Sequence, residues 1–108
     1  MKVFIILCKV HAVIDSIMPS TMTKAFVNCY INASSYEEAV NKILNQFTND
    51  GIYLDEIESP IYEMPVTSWQ LHIQEQYKSL SNEMLNQIEF ENKIAKGEVV
   101  YGIFSGFN

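Results

Sequence analysis

Four groups of residues in this chain are of types that do chemistry. Cys8 and His11 are a thiol and an imidazole three positions apart, the pair that a cysteine nucleophile and its base would supply. In an extended strand positions 8 and 11 point to opposite faces, so the two side chains do not meet and no nucleophile is assigned. His72 and Glu75 stand at i, i+3 and could share a metal from one helix face. Two ligands do not define a site, and no CxxC or HExxH supplies the rest. That pair therefore reads as a solvated helix face, and no metal or other cofactor is expected. Cys8 and Cys29 read as two buried thiols, because directly opposed antiparallel positions give strained disulfides. Neither GxGxxG nor a P-loop occurs, and the closing GIFSG is not a GxSxG elbow.

The fourth group is acidic. Asp55, Glu56, Glu58 and Glu63 have no lysine beside them anywhere in residues 43–77. Carboxylates crowded in this way repel one another, and a basic protein partner would relieve the repulsion. A bound cation and an ordinary solvated rim are the competing readings. Aromatic residues add a second candidate surface. Phe26 and Tyr30 fall on the face of their strand that points away from the expected core, beside Ile5 and Leu7.

Composition narrows the classes. The 108 residues fit one domain, spanning 1–108, and 48% hydrophobic with 19% charged residues marks a folded chain. Seven lysines and no arginine face 13 acidic residues, for a net charge of −6. The lysines are scattered, so nothing replaces counterions along a phosphate backbone and nucleic acid is not expected as a partner. Bidentate arginine recognition of carboxylate or phosphate is ruled out outright. The N-terminal MKVFIILCKV has an apolar run of six residues between Lys2 and Lys9. A secretory apolar region takes about 7–15, and Leu7 is not the small residue a cleavage site before Cys8 would carry. No run approaches the roughly 18 apolar residues of a membrane helix. The expected compartment is the cytoplasm, where both cysteines stay reduced.

These candidates must be held by strands and helices that the pattern lays out in order. Residues 2–10 are a dense β-prone run. Residues 24–33 alternate Ala25, Val27, Cys29, Ile31 and Ala33 against Phe26, Asn28, Tyr30 and Asn32, the period of a strand with unlike faces. A hairpin centred near Met18–Pro19 sets Cys8 opposite Cys29, Ile6 opposite Ile31, Val10 opposite Val27 and Phe4 opposite Ala33. Residues 11–17 could instead form a short helix.

Ser35 with Glu38 predicts a capping box, and Tyr36, Ala39, Val40, Ile43, Leu44 and Phe47 make one apolar stripe. Gly51 suits the left-handed position that ends such a helix. A third strand starts at Ile52 and runs to Glu58. It completes a βαβ unit with parallel strands. Pro60 and Pro65 make 59–66 an edge segment or loop.

A second helix starts near Ser68 with the stripe Trp69, Ile73, Tyr77, Leu80, Met84, Ile88 and Ile94, and stops at Gly97. Unbroken, it would be about 42 Å long, against about 33 Å for a compact domain of this size. A break is therefore expected at Ser79–Asn82 or Phe90–Asn92. Residues 98–104 form a fourth strand.

From about residue 18 to 70, the stretch MPSTMTKAFVNCYINASSYEEAV, the strand entry NDGIYLDEI and the proline-broken acidic run ending at Trp69 form a recognisable pattern. It resembles small bacterial proteins of ferredoxin-like, split-βαβ build, among them immunity proteins of toxin systems such as contact-dependent growth inhibition. The resemblance covers about half the chain and carries no catalytic motif. It implies a small acidic cytoplasmic protein that masks a toxin, and it transfers no binding residue.

The expected fold is α+β: a four-stranded mixed sheet with two main helices packed on one face, ferredoxin-like or a permuted variant. The expected function is a non-enzymatic binding protein, an immunity protein that neutralises a basic toxin domain. Asp55, Glu56, Glu58, Glu63, Phe26 and Tyr30 are its partner-binding residues, and no catalytic residue is assigned. The alternative is a homodimer, an α+β-barrel enzyme or ligand-binding dimer, joined through the apolar face of Ile5, Leu7, Phe26 and Tyr30 with a pocket on the sheet.

Overall fold

A computed structural model describes residues 1–107. The elements in order are β1 (Lys2–Ala12), β2 (Lys24–Ile31), α1 (Tyr36–Asp50), β3 (Ile52–Pro65), α2 (Trp69–Tyr77), α3 (Gln87–Ala95), β4 (Val100–Tyr101) and β5 (Ser105–Gly106). The fold is α+β, with a five-stranded sheet of order β3-β1-β2-β4 in which β5 also pairs with β2. Every neighbouring pair is antiparallel, so the sheet is not the mixed one expected. β2 and β3 do run the same way, as a βαβ unit requires, but β1 lies between them.

The β1–β2 hairpin keeps its predicted faces and loses its predicted register. Cys8 opposes Val27 and Cys29 opposes Ile6. The displacement is two residues, an even number, so no side chain changes face. Tertiary contacts rather than a tight turn fix the loop. Val13 N–H donates to Gly51 O at 3.0 Å and Ile17 N–H to Asp50 O at 2.9 Å, while Met18 is buried. Residues 11–17 form no helix, and β1 simply runs on to Ala12. Both cysteines are free and buried, and burial together with the neighbouring Cys8 pushes the Cys29 thiol up.

Ser35 caps α1 as its sequence demands, accepting the Glu38 N–H at 3.2 Å. The Glu38 carboxylate turns to the Ser34 hydroxyl. The buried stripe is Ala39, Ile43 and Phe47, with Tyr36 and Leu44 left exposed at its margins. Gly51 ends the helix at φ 70°. β3 then continues through both prolines to Pro65 rather than stopping at Glu58. Two irregularities let it do so. Asp55 is an extra residue between the Lys9↔Glu56 and Val10↔Leu54 pairs, and Ser59–Ile61 face Ile6 alone. β3 pairs only with β1 and forms an edge of the sheet.

The predicted long helix breaks where serine and asparagine accumulate. Lys78 takes φ 49°, a 3-10 segment covers Lys78–Glu83, and Asn86 starts α3 with a complete capping box to Glu89. Phe90–Asn92, the other proposed break, lies inside α3. A straight 42 Å helix would overrun a body of 34 × 32 × 24 Å. The break also resets the helical phase: Ile88 is exposed, and Phe90 with Ile94 is buried. The fourth strand is likewise divided. Val27 and Asn28 of β2 face Gly102, Ile103 and Phe104, and this bulge separates β4 from β5.

The helices lie on both faces of the sheet, not on one. α1 covers Ile6, Cys8, Val10, Val27, Cys29 and Ile31. The other face buries Val3, Ile5, Tyr30 and Val100 against Trp69 and Ile73 of α2 and Phe90 and Ile94 of α3. A sheet apolar on both sides requires such double cover, and here the chain's own C-terminal half supplies much of it.

Candidate functional site

α2 covers the sheet incompletely, and the uncovered part is a cleft of about 670 Å³. β1 places Ile5 and Leu7 at its floor, β2 contributes Asn28, β3 contributes Glu58 and Tyr62, and α2 contributes His72 and Gln76. Strand alternation explains the set. Ile5, Leu7 and Lys9 point to this face, and their partners across β1–β3 are Tyr62, Glu58 and Glu56.

A hydrogen-bonded chain borders the cleft. The fully buried Tyr30 places its Oη 2.8 Å from His72 Nε2 and 2.8 Å from Tyr77 Oη, and Asn28 Nδ2 donates to Tyr77 Oη at 3.2 Å. Tyr30 has one hydroxyl proton, so it donates to one neighbour and accepts from the other. Gly102 makes room for this arrangement, since a Cβ there would lie 2.1 Å from Tyr77 Oη. Burial, and then Tyr77 beside it, pushes the Tyr30 phenol far up. Burial also pulls the His72 imidazole below its ordinary 6.5, with Glu75 only partly opposing. At neutral pH Tyr30 and His72 are therefore uncharged, and His72 Nε2 is already engaged. These hydrogen bonds tie Tyr30 and Asn28 of β2 to His72 and Tyr77 of α2.

His72 therefore does not share a solvated face with Glu75. The described residues hold no group of three or more side chains of metal-ligating type. The spacing of positions 69, 72, 73, 76 and 77 already puts His72 and Tyr77 on the buried stripe with Trp69 and Ile73. That signal was present in the sequence, and the Tyr30 partnership was not.

The half-buried His72, its pKa lowered by burial, gives a pH dependence. An unfolded chain binds a proton here more readily than the folded one, so its contribution is intact above the unfolded pKa. It is lost as pH falls from about 6.5 towards the lower folded value. The fall in urea midpoint from pH 7.5 to 5.5 is expected to be larger in the native protein than in His72→Gln. Equal falls would show that His72 does not titrate differently on folding.

The acidic residues divide. Asp55 is held by His11, whose Nδ1 lies 2.9 Å from both carboxylate oxygens while its ring packs on Tyr53. Glu56 opposes Lys9, whose Nζ sits 5.3 Å over the Phe107 ring. Local sequence hides both partners, because they come from β1. Glu58 and Glu63 both line the cleft, although Glu63, paired with Phe4, falls by register on the α1 side of β3. Among the described residues Glu56, Glu58 and Glu63 make no ion pair. The two aromatic candidates are covered by the chain itself: Tyr30 is buried, and Phe26 packs on Phe107 with centroids 4.8 Å apart.

No protein-family model, curated protein or solved structure matches the chain. No helix among the described residues is long and apolar enough to cross a membrane.

Proposed function

We propose that this is a non-enzymatic binding protein that takes a basic segment of a protein partner along β3, in the manner of an immunity protein masking a cytoplasmic toxin domain. One observation carries the reading. β3 is a 14-residue edge strand that displays Glu56 and Glu58 without ion pairs beside Tyr53 and Tyr62, 57% and 60% exposed. An unpaired edge offers backbone groups to an incoming strand. Its carboxylates make two copies of β3 repel and a lysine-rich or arginine-rich segment attract. Exposed tyrosines are the side chains that interfaces favour. The interposed β1 supports placing the fold as a permuted relative of the ferredoxin-like build. Such a chain acts by occlusion, and its uncharged, internally satisfied polar cluster fits that role.

The test is co-expression with the product of the neighbouring gene, followed by affinity measurement. The expected result is relief of toxicity by the native chain and at least about a tenfold weaker complex for Glu56→Lys/Glu58→Lys. A product that is neither toxic nor bound, or a complex indifferent to both reversals, would overturn the proposal.

A further inference from the structure

We infer that the cleft beneath α2 is a binding site for a small organic cation, a primary amine carried on an apolar chain or ring. The cleft shares Glu58 and Tyr62 with the β3 surface proposed above, but its floor is Ile5 and Leu7 of β1 and its ligand is a small molecule, so it is tested without any protein partner. Its volume of about 670 Å³ lies within the usual range for small-ligand pockets, roughly 300–1,000 Å³.

The lining decides the ligand's chemistry. The floor is apolar: Ile5 is buried under α2, and Leu7 beside it stays half-open because α2 ends at Tyr77. Glu58, directly across from Leu7, stands over that floor without an ion pair among the described residues. No lysine lines the cleft, and His72 is uncharged at neutral pH. An anionic ligand would meet Glu58 with like charge. A neutral apolar ligand would strip water from that carboxylate and return nothing. A polyhydroxylated ligand would leave Ile5 and Leu7 unused.

An ammonium group on an apolar body satisfies both halves. The body covers Leu7 and Ile5, and the head reaches the Glu58 carboxylate. Tyr62, next along the same face of β3, also lines the cleft and supplies an aromatic ring, a group that attracts cations. The Tyr30–His72–Tyr77 chain fixes the α2 wall, so the cleft is formed before the ligand arrives.

The experiment is calorimetric titration of the full chain with 2-phenylethylamine, 2-phenylethanol and 3-phenylpropanoate at pH 7.5, repeated with Glu58→Gln and Leu7→Ser. Amide chemical shifts locate any bound ligand. The expected result is saturable binding of the amine, at least about tenfold weaker binding of the alcohol and none of the carboxylate, with shifts at Leu7 and His72. Glu58→Gln, close in shape and able to fold, should weaken the amine about tenfold and leave the alcohol unchanged. Leu7→Ser should weaken both. Equal binding of amine and alcohol, an amine indifferent to Glu58→Gln, shifts confined to another surface, or no saturable binding would each overturn the assignment.

Discussion

Trp69→Ala should remove about 4 kcal/mol of folding stability, the largest loss expected from any single truncation in this chain. Trp69 is wholly buried, stacks on Phe90 at a centroid distance of 4.0 Å, and meets the Tyr30 ring edge-on at 5.0 Å. Its indole N–H also donates to Leu85 O at 2.8 Å, tying the start of α2 to the segment that leads into α3. Truncation thus opens a cavity and leaves a carbonyl without its donor. A domain of this size is stable by only about 5–15 kcal/mol, so the variant would lose much of its margin. Urea unfolding followed by far-ultraviolet circular dichroism measures the loss. A drop below about 1 kcal/mol would refute tight packing of Trp69 between the sheet and α3.

Gly51→Ala ranks second, at about 3 kcal/mol. Two costs combine. The residue sits at φ 70°, where a side chain is strained, and an added Cβ would lie 2.6 Å from Ser16 Cα and 2.8 Å from Ser16 N. These are backbone atoms, held by the hydrogen bonds from Val13 and Ile17, so the loop cannot simply swing aside. The comparison is Gly97→Ala, also at positive φ but with only the Lys42 ammonium nearby at 3.6 Å. It should cost about 1 kcal/mol, the conformational part alone. Equal denaturation midpoints for the two variants would refute the proposed clash.

Much of the fold was legible wherever one element's own pattern decided the outcome. The Ser35 cap, the stripe through Phe47 and the stop at Gly51 follow from α1 alone. Alternation in β2 fixed which face each residue takes, and an error of two residues in register left that intact. The remainder depended on partners distant in sequence. β3 looked like a strand that fails at Pro60, because its extra residues show as irregularities until β1 lies beside them. A stripe extended past Tyr77 crosses a break that resets its phase, so it points Ile88 inward where the fold buries Phe90 instead.

The candidate site divides along the same line. Four carboxylates close in sequence suggest a single acidic surface, yet His11 of β1 hydrogen-bonds Asp55 and register sets Glu63 on the opposite side of β3 from Glu58. The Tyr30–His72 pair, 42 residues apart, had no local signature at all.

The interior position of β1 sets an order of events at the ribosome. It is synthesised before both of its neighbours, and its two edges are closed by segments made at different times, β2 soon afterwards and β3 only once α1 has emerged. Through that interval the nascent hairpin shows an open row of backbone donors and acceptors flanked by valine and isoleucine, the kind of surface on which chains stick to one another. α1, capped at both ends, follows β2 and leads the chain directly into β3, which fills the vacant side.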